Sequence, residues 1–225
     1  MMSDSIKFKG HESKLAKRYS LKEEIFSSVT HGMGALLSIA ALVIAVVFAS
    51  LKGDVWRIVS FSIYGSTLFF LYLSSTLYHS LVFEKAKKVF RVFDHAAIYL
   101  LIAGSYTPLS LVAMRGTWGW IVFSVIWSLA IFGIVLNIIS LEKTRVYSTI
   151  LYVLMGWLVI VAIKPMLSMI PHGLFPWLLG GGLIYSVGII FYVWKKIPYN
   201  HGIWHLFVLG GSIVHYLGFL FYLAR

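Results

Sequence analysis

Apolar residues in this chain run in long blocks rather than in stripes. Seven blocks, at residues 25–51, 55–83, 89–114, 118–141, 146–163, 174–194 and 201–223, are hydrophobic on every side of a helix. A helix that is apolar all round has no face for water and belongs in a protein interior or in lipid. Each block approaches or exceeds the roughly 20 residues that a helix needs to cross a bilayer core. The breaks between them are charged or rich in glycine and proline: Lys52-Gly53-Asp54, Glu84-Lys85, Arg115-Gly116, Glu142-Lys143, Pro171-His172-Gly173 and the segment 195–198. Because every break is short, neighbouring helices are predicted to run antiparallel. Pro108 falls inside the third block and predicts a kink, since proline has no amide hydrogen and its ring crowds the preceding turn. The predicted fold is all-α: a seven-transmembrane helix bundle over residues 25–225, preceded by a basic tail over residues 1–24.

Composition agrees. Charged residues make up 12% of the chain and hydrophobic ones 60%, whereas an ordinary soluble domain carries roughly 25% charged residues. No cleavable signal is expected, because the first apolar block is too long for a signal core and a polar, basic segment precedes it. The net charge of +11 would suggest nucleic acid in a soluble protein, but its distribution gives it another meaning. One side of the predicted bundle carries Lys7, Lys9, Lys14, Lys17, Arg18, Lys22, Lys85, Lys87, Lys88, Arg91, Lys143, Arg145, Lys195 and Lys196. The other side carries only Lys52, Arg57, Arg115, Lys164 and Arg225. Loops rich in Lys and Arg stay in the cytoplasm. The N-terminus is therefore predicted to be cytoplasmic and the C-terminus outside, in a multi-pass protein of a bacterial inner or plasma membrane. Membrane lipids are the expected partners, and no nucleic acid is.

The chain has no cysteine, which excludes disulfides and thiolate ligands. Any metal site must use His, carboxylate or backbone oxygen. Ionisable groups inside membrane spans are costly unless paired or solvated, and here they gather at one level. His79 lies near the cytoplasmic end of the second block, Asp94 and His95 at the cytoplasmic start of the third, and His201 and His205 at that of the seventh. Glu23, Glu24 and His31 lie at the start of the first. His201 and His205 stand one turn apart, about 6 Å along the axis, on one helix face. With His79 they offer three neutral nitrogen donors, an arrangement that suits catalytic zinc with water as fourth ligand. Imidazoles also suit copper, nickel and iron. Asp94 can serve as a ligand, as a partner of one, or as the base that holds a metal-bound water. Ser75, one turn before His79, can donate a hydrogen bond to that water or to a substrate carbonyl.

Plainer readings stand beside these. Asp94 follows Lys87, Lys88 and Arg91, and can be an interfacial ion pair. His31 and His95 read as hydrogen-bonded helix histidines. His215, about 15 Å deeper than His205, reads as a packed polar residue, and His11 and His172 as solvated ones. Gly180-Gly181-Gly182 and Gly210-Gly211 most simply permit close helix packing.

Several blocks together resemble the hemolysin III family and its wider group, the progestin and adiponectin receptors. They are Glu23-Glu24-Ile25-Phe26 with Thr30-His31-Gly32, Ser75 through His79, Phe93-Asp94-His95, and His201 with His205. The resemblance implies seven helices with a cytoplasmic N-terminus and a Zn2+ ion bound by His79, His201 and His205, with the family's serine and aspartate at Ser75 and Asp94. The long N-terminal domain of the animal receptors has no counterpart here, so a hormone-receptor role is not expected. The group also looks similar to alkaline ceramidases. That analogy favours a zinc-dependent hydrolase acting on a lipid amide with a long acyl chain, using Asp94 and Ser75 in catalysis. Two other classes compete: a cytolysin acting on membranes, and a zinc-containing membrane sensor or homeostasis protein without catalysis.

Overall fold

The structure, a computed structural model, describes residues 19–225. Lys7, Lys9, His11, Lys14, Lys17 and Arg18 of the basic tail lie outside the described residues. Among those described, seven helices are long and apolar enough to cross a membrane: α1 Leu21–Leu51, α2 Val55–Ser80, α3 Glu84–Ala113, α4 Thr117–Leu141, α5 Val146–Met169, α6 Leu174–Val193 and α7 Asn200–Ala224. Their outer faces are apolar. Leu36, Ile138, Ile139 and Val161 stand exposed there, a surface that suits lipid and not water.

Local chemistry explains where the helices start and bend. α1 begins at Leu21, four residues earlier than the apolar pattern suggests, because Ser20 caps it. The Glu23 amide donates to Ser20 Oγ at 3.3 Å while the Ser20 amide donates to Glu23 Oε2 at 2.7 Å, a reciprocal capping box. The Asp54 carboxylate caps α2 by accepting the Trp56 amide at 3.1 Å. After Pro108 the helix answers the missing amide with a wider π-helical turn, Leu109–Ala113, in which Met114 donates to the Leu109 carbonyl. α4 and α5 share one stretch of helical hydrogen bonding that breaks at Ser140, where φ is −164° and ψ 86°. α5 passes through a 3-10 turn, Leu158–Ala162, and continues beyond residue 163, past Pro165, to Met169.

Successive helices pack closely from α1 through α3, α6 packs on α7, and α1 closes against α7. Buried Phe61, Tyr64, Leu71, Tyr72 and Tyr99 fill the core. The glycines at 181 and 211 sit directly against His215 and Tyr185, whereas those at 180, 182 and 210 have ordinary contacts. At one end of the bundle the start of α1, the end of α2, and the starts of α3 and α7 meet. At the other, the Arg57 side chain donates to the Leu223 carbonyl at 2.9 Å and Arg115 donates to Asp54 at 2.6 Å.

Candidate metal centre

Where the helix ends meet, three imidazoles share one point. His79 comes from the last turn of α2, and His201 and His205 from the first two turns of α7; all three are buried. His201 Nε2 lies 3.2 Å from His79 Nε2 and 3.1 Å from His205 Nε2. Three ligands at about 2.0–2.1 Å in tetrahedral geometry would be separated by about 3.3–3.4 Å, so the nitrogens stand near the spacing that a single ion requires. No other group of at least three His and carboxylate side chains among the described residues comes together in this way.

The surrounding hydrogen bonds assign the tautomers. Glu24 Oε1 accepts from Lys87 Nζ at 2.8 Å, and Glu24 Oε2 lies 2.6 Å from His79 Nδ1. A carboxylate paired with an ammonium only accepts, so His79 Nδ1 carries the proton and donates it. His205 Nδ1 faces the Ser27 carbonyl at 3.3 Å and must also donate. Both rings therefore turn an unprotonated Nε2 toward His201. His201 Nε2 sits between these two lone pairs and either shares a hydrogen with them or, unprotonated, joins them as a third donor; such a donor set fits a metal ion of the zinc class.

Asp94 is buried at the start of α3 and lines a small cavity with His201, His205, His31 and His95. That cavity is about 20 Å³, room for about one water. Asp94 Oδ2 is 3.5 Å from His95 Nδ1, beyond good hydrogen-bond length, and His95 Nδ1 is instead 2.9 Å from the Arg91 carbonyl. His95 is thus the hydrogen-bonded helix histidine its sequence position suggests. Ser75 is fully buried, and its hydroxyl has no hydrogen-bond partner. It does not line the cavity.

His31 departs from expectation. Neither of its ring nitrogens has a hydrogen-bond partner; the ring lies flat on His205, with centroids 3.6 Å apart and planes 11° apart. It works as a stacking plate, not as a hydrogen-bonded spacer. His215 does bond the Leu178 carbonyl, at 3.0 Å, well away from the three imidazoles, and His172 is exposed. Tyr19, ahead of α1, stacks on His201 with centroids 4.9 Å apart. Burial, and then the neighbouring phenols of Tyr78 and Tyr192, push the Tyr19 hydroxyl far above its ordinary pKa, so it stays neutral. Sequence reasoning placed Glu24 at this level but gave it no partner, and it gave Tyr19 no role. The only signal was the pair of acidic residues in the first turn of a membrane helix.

A longer apolar cavity of about 120 Å³ adjoins the small one and shares Leu71, Ile98, Tyr192, Trp204 and Val208 with it. It runs between α3, α5, α6 and α7 to Trp157, Gly182 and His215. There it meets a further space of about 280 Å³ that reaches Met166 and Phe219. The arrangement joins a polar, metal-competent end to an apolar channel.

Known proteins are similar to this sequence. The profile of the haemolysin-III related family matches residues 19–216. The chain is 52% identical to "Hemolysin-3" of Bacillus cereus over 190 residues, which is 84% of this chain and 86% of that protein. It is 49% identical to "Hemolysin-3 homolog" of Bacillus subtilis (strain 168) over 191 residues, covering 85% and 90% of the two. It is also 30% identical to the human "Monocyte to macrophage differentiation factor" over 216 residues, covering 90% and 86%.

Proposed function

The chain belongs to the haemolysin-III related family, and within it we propose a membrane-embedded, zinc-dependent hydrolase that cleaves an amide bond in a lipid, as in ceramides. One observation carries the reading. Beside the three convergent imidazoles, His201, His205 and the Asp94 carboxylate border a water-sized space that adjoins an apolar channel. His79, His201 and His205 would hold the ion. A zinc ion at such a site polarises a carbonyl and lowers the pKa of bound water to about 7.

The other roles belong to the chain itself. Asp94 takes the proton of the attacking water and passes it to the leaving amine. Ser75, whose hydroxyl is otherwise unused, donates a hydrogen bond toward the developing oxyanion, which requires a side-chain rotation toward the histidines. The channel walls Leu71, Ile98, Trp204 and Val208 receive the acyl chain. The concentration of Lys and Arg at this end favours the cytoplasmic side, and the polar linkage of a lipid lies at such a boundary.

A non-catalytic zinc protein is favoured by the tightness of the three-histidine group and the small volume beside it. Asp94→Asn separates the two readings. Metal analysis of detergent-purified protein comes first, wild type beside His79→Ala, His201→Ala and His205→Ala. About one zinc per chain, lost in each folded variant, is expected, followed by zinc-dependent release of fatty acid from ceramide-containing vesicles. No metal in wild type resupplied with zinc would sink the hydrolase; zinc without hydrolysis of any lipid amide leaves the non-catalytic reading.

A further inference from the structure

α1 supplies no metal ligand, yet its N-terminal turns touch two of the three. Glu24 bonds His79, the Ser27 carbonyl accepts from His205, and His31 stacks on His205. Just before the helix, Tyr19 stacks on His201. We propose that Glu24 is the principal positioning residue of the metal centre: its carboxylate fixes the tautomer and ring angle of His79 and links α1, α2 and α3 around it. The proposal rests on the metal reading above.

The geometry is that of a carboxylate–histidine–metal relay. Glu24 lies on the Nδ1 edge of the His79 ring, opposite the Nε2 that faces the other histidines. It is therefore placed to act through His79 and not to bind the ion itself. At 2.6 Å the bond is short, as expected when the acceptor is ionised. The second carboxylate oxygen is held by Lys87 of α3, seven residues before Asp94. One side chain thereby joins the helix that carries a ligand to the helix that carries Asp94. The neighbouring Glu23 plays a different part, accepting the Tyr199 amide at 3.3 Å and so tying α1 to the turn before α7. Without Glu24, His79 Nδ1 loses its partner in a buried place, and the ring can exchange tautomers or rotate, so that Nε2 no longer presents a fixed lone pair. Groups of this kind typically change metal affinity 10- to 100-fold, as a rough guide.

The test measures zinc affinity of the full-length protein in detergent by competition with a chromophoric chelator, for wild type, Glu24→Gln and Glu24→Ala. Cobalt(II) spectra of the same proteins report ligand geometry. The expected result is about one zinc per wild-type chain, an affinity loss of about 10- to 100-fold for Glu24→Ala, and a smaller loss for Glu24→Gln, whose amide oxygen still accepts. Wild-type affinity in Glu24→Ala overturns the positioning role while leaving the metal reading intact. Absence of zinc from wild type overturns both. If Glu24→Ala does not fold, Glu24→Gln decides. A weaker affinity at an unchanged metal-free melting temperature supports the proposal, and an affinity that falls only in step with that temperature refutes it.

Discussion

Replacing Gly202 with alanine probes the seam that brings α1 against the ligand-bearing end of α7. Gly202 follows His201 directly, and a Cβ there would overlap the ring of Phe26. That ring is packed edge-on against Tyr199, with centroids 6.0 Å apart, so it cannot swing aside without losing a contact. Overpacking of this kind costs about 1–3 kcal/mol. Against it stands a gain of about 1 kcal/mol from replacing glycine inside a helix. The net loss is about 1 kcal/mol at the middle of that range and about 2 at its upper end, a fall in melting temperature of about 2–8 °C for a chain of this size. Moving α1 outward also stretches the 3.3 Å contact between His205 and the Ser27 carbonyl. Zinc affinity should therefore fall with stability, and the stabilisation by zinc should shrink. The assay is thermal unfolding in detergent with zinc and with chelator, repeated for Phe26→Leu and for the double variant. Phe26→Leu should restore room, so that the double variant melts higher than the sum of the single effects predicts. A Gly202→Ala protein that melts and binds zinc as wild type does, or strict additivity with Phe26→Leu, would refute the reasoning.

Other outcomes follow from the same geometry. Asp94→Asn keeps the shape of a buried side chain that is not one of the three imidazole donors; it should retain about one zinc per chain and lose turnover on lipid amides by about 10²- to 10⁴-fold, measured by fatty-acid release beside metal analysis. Gly182→Leu would project into the apolar channel, which Gly182 lines at two of its chambers; hydrolysis of long-chain amides should fall while that of short-chain ones and zinc content persist, and an equal fall for both chain lengths would count against the channel. Chelation of zinc should lower the melting temperature of wild type but not of His205→Ala. Asp54 gives a pH test at the opposite end of the bundle. Partial burial pushes its carboxyl up, but the Arg115 hydrogen bond, the Trp56 amide and the charges of Arg115 and Arg57 outweigh this and leave it below its ordinary value. The contribution of the pair is thus present above about pH 4, the ordinary carboxylate value, and lost as pH falls through the folded one. Arg115→Gln should cost roughly 0.2–1 kcal/mol at neutral pH and nothing in strong acid, as seen in melting curves across pH; a constant difference at all pH values would exclude the ion pair as its cause.

Much of this molecule is legible without coordinates. Seven apolar blocks determine seven helices, because crossing lipid is a demand on each segment by itself: every backbone group must be satisfied within the helix and every side chain must tolerate hydrocarbon. The same local logic put His201 and His205 on one face and raised His79 and Asp94 to their level. Helix ends were less legible, since Ser20 and Glu23 extend α1 through a cap that hydropathy does not register. The pairing of Glu24 with His79, the stacking of His31 on His205, and the partnerless hydroxyl of Ser75 were decided by tertiary structure alone. Each depends on how far one helix is rotated and shifted against another, and that is set by contacts such as Gly202 on Phe26 between residues distant in sequence. Sequence determined which chemistry lies at that level of the membrane; packing decided which atoms face one another, because convergence on a point is a property of several helices at once.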